Sequence, residues 1–240
     1  MGPDRDTIVV IPTRFQIYPL CTLLGSIDTD PSVTRILIYD NGHRGFSKEV
    51  LLNLSYSPKI TIVESPDLSI YQMWNAGWRN ALEHSGDNPV NVAFLNDDCY
   101  ILPRTLHLMA QTLRSDDSFG AVYPDFYTSI DAYPVEYHLQ ETVGTFGMGG
   151  MTGFCFMIKG ELNQDAGGPI PYIDEKFGWW YGDDDITKQL EIASYKMVKI
   201  QGLPIQHQEG QSSKNLNLRE TIIKDNQYFN EKYGEHRVLW

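Results

Sequence analysis

The chain has 240 residues, enough for one large core or two small ones, and its 42% hydrophobic content separates it from disordered sequences. With 31 acidic against 19 basic residues, a formal charge of −12, it lacks the basic stripe of an extended duplex-DNA surface, although a small local basic site stays open. No apolar run approaches the about 20 residues of a membrane span, and acids stand at the N-terminus where a signal peptide has base and an apolar run. Cys21, Cys99 and Cys155 cannot all pair and show no zinc spacing, so reduced core thiols and a cytoplasmic setting are expected.

Thr7 to Ile11 is a β-branched run stopped by Pro12-Thr13-Arg14, and it predicts the opening strand. Leu20, Leu23, Leu24 and Ile27 recur at helical spacing behind Pro19. Val33 to Tyr39 predicts a second strand, ending in the turn signal Asp40-Asn41-Gly42, and Lys59 to Val63 a third. Ser69 and Gln72 then have capping-box spacing, with Ile70, Met73, Trp74, Gly77 and Ala81 on one helical face and Asn75, Arg79 and Asn80 off it. A glycine inside a helix costs about 1 kcal/mol relative to alanine, so a closely packed neighbour is expected at Gly77.

Val90 to Leu95 is a short apolar run that empties into Asn96, Asp97 and Asp98. A buried parallel strand with carboxylates at its carboxyl end lies where open α/β sheets bind ligands, and such acids suit a divalent cation carrying a phosphate. The same two acids would equally serve as caps of a helix opened by Pro103, with Leu106, Met109, Ala110 and Leu113 inward. Phe119 to Tyr123 predicts a further strand. Strands alternating with helices over the first 125 residues call for a largely parallel sheet. No glycine-rich phosphate loop follows the opening strand, so nucleotide binding would use another device.

Beyond Pro124 the texture changes. Tyr127 to Glu141 has no clear period, Gly144 to Gly153 is glycine-rich and therefore flexible or tightly turned, and Asp165 to Pro171 reads as a loop. Phe154 to Ile158 and Tyr195 to Ile200 read as strands. Trp179-Trp180-Tyr181-Gly182 precedes Asp183-Asp184-Asp185, followed by Ile186, Leu190 and Ala193 at helical spacing. Acids in a first turn favour the helix dipole, so plain capping competes with any chemical role there. Ile222, Phe229 and Tyr233 space a last helix. One unit with two lobes, residues 1–125 and 126–240, is expected.

Taken in order, five stretches resemble the GT-A-fold glycosyltransferases, close to the family 2 and rhamnosyltransferase-like group. They are Val9-Val10-Ile11-Pro12-Thr13-Arg14, Ile38-Tyr39-Asp40-Asn41-Gly42, Phe94-Leu95-Asn96-Asp97-Asp98, Trp180-Tyr181-Gly182-Asp183-Asp184-Asp185, and His207-Gln208-Glu209-Gly210-Gln211-Ser212. The ending Asn226 to Gly234 is similar to the family's Phe-x-x-Lys-Trp-Gly tail. The resemblance implies an α/β GT-A fold, a mostly parallel sheet with helices on both faces and a smaller acceptor lobe. It also implies an inverting, metal-dependent transfer of sugar from a nucleoside-diphosphate donor to an acceptor hydroxyl.

By the same resemblance Mn²⁺ or Mg²⁺ would be held by Asp98 and His207, with Asp97 bound directly or through water. Asn96 departs from the family's Asp-x-Asp pattern and would touch ribose or a metal-bound water. Asp183 would be the base, or Asp184 if the alignment shifts by one residue. Pro12, Thr13 and Arg14 would flank the nucleotide, and Asp40 would accept from its base. Asn75 and Arg79 would reach diphosphate or sugar, Trp180 would stack on a sugar ring, and the Gly144–Gly153 segment would order over the donor. UDP- or dTDP-sugars fit Asp40; the acceptor stays open among glycan, protein and modified nucleobase.

Two other classes compete. A nucleotidyltransferase on a related sheet would carry a glycine-rich turn with a basic residue after strand one, and Ile11-Pro12-Thr13-Arg14 has no glycine. A non-catalytic module binding sugar-nucleotide or glycan would keep the fold without the chemistry. His84, His107 and His138 lack chemical company and read as ordinary surface or packed residues.

Overall fold

The structure is a computed structural model and describes residues 6–14, 17–42, 57–125, 138–142, 151–160, 162, 172–203, 205–208 and 217–235. Its centre is β1 (Asp6–Thr13), buried from Thr7 onward and paired in parallel with β2 (Val33–Asp40) on one side and β4 (Val90–Leu95) on the other. A strand covered on both faces has no polar side to show, and this explains the unbroken β-branched run. β3 (Ile60–Glu64) extends the sheet beyond β2.

On the far side of β4 come β8 (Cys155–Lys159), β6 (Phe119–Pro124), β9 (Lys196–Gln201) and β7 (His138–Thr142), completing the order β3-β2-β1-β4-β8-β6-β9-β7. Six of these eight strands run the same way; β8 and β7 run against them. Strands from beyond residue 126 are thus built into the same sheet as those before it.

Side chains alternate along β1 between two cores. Val9 and Ile11 face α1 (Ile17–Ile27) and α3 (Thr105–Arg114). Ile8 and Val10 face α2 (Ile70–Ser85), α4 (Gly182–Ile192) and α5 (Arg219–Tyr233). The chain is therefore the expected α/β layer structure with helices on both faces. Among the described residues no helix is long and apolar enough to cross a membrane.

The capping box of α2 forms as read. Ser69 Oγ accepts from Gln72 N at 3.2 Å, and the Gln72 carboxamide accepts from Ser69 N at 2.9 Å. Gly77 has its close neighbour, since a Cβ there would lie 2.3 Å from Val10 Cγ1.

Three readings change. A short strand, β5 (Cys99–Ile101), follows the acids and pairs antiparallel with β10 (Ile205–His207). Asp97 and Asp98 therefore sit in the turn between β4 and β5 and cap nothing. The N-cap of α3 is Arg104, which has no side-chain cap, and Asp30 accepts from His107 N at 3.1 Å instead. Asn75, assigned off the buried stripe, is 2% exposed. β7 was also unforeseen, being a mostly exposed edge strand without an apolar face. The glycine-rich Gly144–Gly150, the Asp165–Pro171 loop, and Glu209 to Ser212 of the histidine motif lie outside the described residues.

Gly77→Ala should lower stability in a urea titration by about 1–3 kcal/mol, because the added methyl collides with Val10 beneath the helix. A gain of about 1 kcal/mol, which helix propensity alone demands, would mean that α2 stands off the sheet.

Candidate active site

A cavity of about 310 Å³ opens at the carboxyl ends of β1 and β4. Pro12, Thr13 and Arg14 line it from the end of β1, and Asn96, Asp97 and Asp98 from the turn after β4. Ser69, Ile70 and Met73 come from the first turn of α2, Gly178 and Trp179 from the loop before α4, and His207 from β10. Open α/β sheets bind ligands at the carboxyl ends of their parallel strands, and the cavity lies there.

The acids occupy different surroundings. Asp97 Oδ2 accepts from Thr13 Oγ1 at 2.7 Å and from Arg14 N at 3.3 Å, joining the ends of β1 and β4. Burial pushes its carboxyl up to about 7; the Thr13 hydrogen bond opposes the rise and the charge of Asp98 adds to it. Asp98 Oδ1 lies 3.0 Å from His207 Nε2, and Asp98 O accepts from Gln208 N at 3.2 Å. The imidazole stacks on Phe154, with ring centroids 4.9 Å apart, and Asn96 Nδ2 stands 3.4 Å from the same Nε2. The register of β10 on β5 sets His207 opposite Cys99, which brings an imidazole beside acids from the other end of the chain.

Asp183, half-buried in the first turn of α4, accepts from Gly153 N at 2.9 Å and, through Oδ1, from Asp184 N at 3.1 Å. Burial pushes its carboxyl up to about 7, with the neighbouring Asp184 charge adding and the backbone N–H groups opposing. Phe154, next to Gly153, accepts from Asn96 N at 2.8 Å and from the Cys99 thiol at 3.2 Å. One dipeptide leading into β8 thus touches both the Asp183 carboxylate and the acid–imidazole turn.

The other acids of this region lie deeper. Asp185 is fully buried and accepts from Lys232 Nζ at 2.6 Å, Tyr233 OH at 2.6 Å, Gln189 Nε2 at 2.9 Å and Asp174 N at 3.1 Å. Asp184 is 5% exposed, deeper than Asp183.

Several candidate residues stand elsewhere than beside the cavity. Asp40 is buried and accepts from Gly42 N at 3.1 Å, while its neighbour Asn41 lines the cavity and donates to Leu68 O at 2.6 Å and Ser65 O at 3.0 Å. The Asn75 carboxamide donates to Ile173 O at 2.9 Å and accepts from Ile173 N at 3.0 Å, the bonding a strand neighbour would give. Arg79 is exposed on α2 and is not among the lining residues. Trp180 is 46% exposed, and it is Trp179 that lines the cavity. Adjacent aromatics in a loop carry no periodicity, so nothing in their order tells which one faces inward.

Among the described residues no three His, Cys, Asp or Glu side chains converge as a finished metal cage. The Asp98–His207 pair nevertheless offers a carboxylate oxygen and an imidazole nitrogen, donors of the kind that bind divalent metals. Asp97 stands beside it as a second buried carboxylate, so a cation here would relieve two adjacent negative charges.

No protein-family model and no curated protein matches the sequence. Solved structures share its fold. Residues 1–349 of TarS from S. aureus superpose with a TM-score of 0.62 at 12% identity, covering 97% of this chain and 73% of that one. Mannosyltransferase PcManGT from Pyrobaculum calidifontis, in complex with GDP-Man and Mn²⁺, gives 0.62 at 15% identity over 99% and 68%. Glucosyl-3-phosphoglycerate synthase from Mycobacterium tuberculosis, in complex with Mn²⁺, UDP and glucosyl-3-phosphoglycerate, gives 0.59 at 15% identity over 97% and 81%. At these identities the likeness speaks for architecture, and the chain has the GT-A glycosyltransferase fold.

Proposed function

We propose that this chain is an inverting glycosyltransferase that moves a sugar from a nucleoside-diphosphate donor to an acceptor hydroxyl. The observation that carries this reading is the convergence on one crevice of Asp97, Asp98 and His207; Asp183 is not among the lining residues and is tied to them through the adjacent pair Gly153-Phe154. The GT-A fold supports it, as do the nucleotide, sugar-nucleotide and Mn²⁺ complexes of the similar structures.

In this reading the donor diphosphate lies against Asp97, Asp98 and His207, and the nucleoside extends toward Pro12, Thr13 and Asn41 along the ends of β1 and β2. Mn²⁺ or Mg²⁺ held by Asp98 and His207, with Asp97 alongside, would supply Lewis-acid neutralisation of the leaving diphosphate. Trp179 forms the apolar wall against which a sugar ring packs, the part first given to Trp180. Asp183 takes the proton of the acceptor hydroxyl as its oxygen bonds to the anomeric carbon. The bond to the diphosphate oxygen breaks in the same displacement, its electron pair leaving with the diphosphate, so the configuration inverts. Asp183 is chosen over Asp184 because it is the more accessible of the two, and a carboxyl near 7 is well matched to a base working at neutral pH.

The test is a screen of UDP-, dTDP- and GDP-sugars with Mn²⁺ for binding and slow donor hydrolysis. In the wild type the matching nucleoside diphosphate with Mn²⁺ should raise the melting temperature, since a ligand held only by the folded form stabilises it. Asp98→Ala should lose that metal-dependent shift, and His207→Ala should weaken it. A wild type that neither binds nor hydrolyses any of these donors would remove the enzyme reading.

The pH dependence follows from Asp183. Its unprotonated form is the base, so kcat should rise with pH through an inflection near 7. Asp183→Asn should lower kcat about 10²- to 10⁴-fold, to a measurable residual rate, while leaving nucleoside diphosphate binding in place. For stability the sign is reversed. A carboxyl raised above its unfolded value stabilises the fold below about pH 4, and that contribution is lost as pH climbs through about 7. Asp183→Asn should therefore gain stability relative to wild type at pH 8 and lose that advantage at pH 4, as read by thermal melts at both.

A further inference from the structure

The loop from Gly178 to Gly182 joins the cavity wall at Trp179 to the carboxylate at Asp183, and it is held from two sides. From α5, the buried Asp225 accepts from the N–H groups of Gly178, Trp179 and Trp180 at 2.8, 2.8 and 2.9 Å. From α2, the hydroxyl of Tyr71 donates to Trp179 O at 2.6 Å and accepts from Gly182 N at 3.1 Å. The ring of Tyr71 lies so close beneath Gly182 that a Cβ there would come 2.1 Å from Tyr71 Cε1.

Gly182 opens α4, and its N–H is one of the amides at a helix start that have no partner within the helix. The N-cap residue, Tyr181, sits in the left-handed region at φ 73° and makes no side-chain cap. Tyr71 supplies that missing acceptor from a different helix. It also stands on the turn of α2 whose residues Ser69, Ile70 and Met73 line the cavity. Burial, and next the charge of Asp183, push the phenol well above its ordinary value, so it keeps the proton it donates to Trp179.

We propose that the Tyr71 hydroxyl is a positioning group for Asp183, carrying the placement of the first turn of α2 across to the carboxylate that takes the acceptor's proton. This rests on the glycosyltransferase reading above. Two backbone atoms on either side of a left-handed residue are fixed by one oxygen, and Asp183 follows directly on the second of them. Removing the oxygen frees the start of α4 to shift, while the ring still packs against Trp74, 5.8 Å away between centroids, and beneath Gly182.

The experiment uses Tyr71→Phe in the full chain, with the donor sugar the wild type hydrolyses and the corresponding nucleoside diphosphate with Mn²⁺ as binding probe. A base displaced by a fraction of its reach costs rate, so kcat for donor hydrolysis should fall about 10- to 100-fold. KM for the donor and the calorimetric Kd of the nucleoside diphosphate should stay within about twofold, the mark of a loss confined to the transition state and a check that the variant is folded. Placed in an Asp183→Asn background, the substitution should cost no further rate, because the group it positions is already gone. An unchanged kcat, a parallel loss of affinity, or the same fall in the Asp183→Asn background would each overturn the proposal. A wild type that binds no nucleoside diphosphate would instead bring down the parent reading, and this one with it.

Discussion

Three residues of β10 laid antiparallel on three of β5 are what the site depends on. β4 delivers its acids to the crevice by its own hydrophobic logic, since an apolar run must be buried along its length and can place carboxylates only where it ends. His207 has no comparable reason to be there. It arrives because backbone pairing fixes a register, because Gln208 N donates to the carbonyl of Asp98, and because the imidazole finds the face of Phe154 to lie on. Each contact is modest alone. Together they hold an imidazole nitrogen 3.0 Å from a buried carboxylate oxygen.

The region also shows how one residue type is put to opposite uses by its donors. Asp185 and Asp225 are buried acids surrounded by hydrogen-bond donors, and both tie α5 to the loop and helix that carry Asp183. Asp97 is enclosed by protein and Asp183 half-buried, each with fewer donors and with another carboxylate next door. Their charged forms are correspondingly costly. A carboxyl whose environment does not complete its bonding is free to exchange a proton or meet a cation, and perturbed groups of this kind gather at functional sites. The first pair makes the scaffold; the proposed function puts the second to chemical use.

Much of this was legible before any coordinates. Thr7 to Ile11, the Ser69–Gln72 box and the Val90–Asp98 stretch carry their structure in local pattern, and Gly77 announced a close approach that proved to be Val10. What escaped depends on partners distant in the chain. β5 is too short for any period to register, and β7 is an edge strand with nothing apolar to alternate. Asn75 looked like a surface residue because a carboxamide buried against the backbone of Ile173 is indistinguishable in sequence from one in water. Tyr71 and Asp225 gave no signal at all. A tyrosine beside an apolar stripe reads as core, and an acid in a polar helix reads as surface, until the loop each one grips is seen.

The grip of Asp225 has a consequence for what the crevice can offer an anionic ligand. Consecutive main-chain amides turned toward one point form a concavity that attracts phosphate in many proteins. Here that concavity, beside the wall formed by Trp179, is already filled by a carboxylate belonging to the chain itself. The molecule has satisfied this set of amides internally, holding the loop in place where a phosphate seat could otherwise form. In the proposed function, recognition of a diphosphate would then fall to Asp97, Asp98 and His207 through a bridging cation.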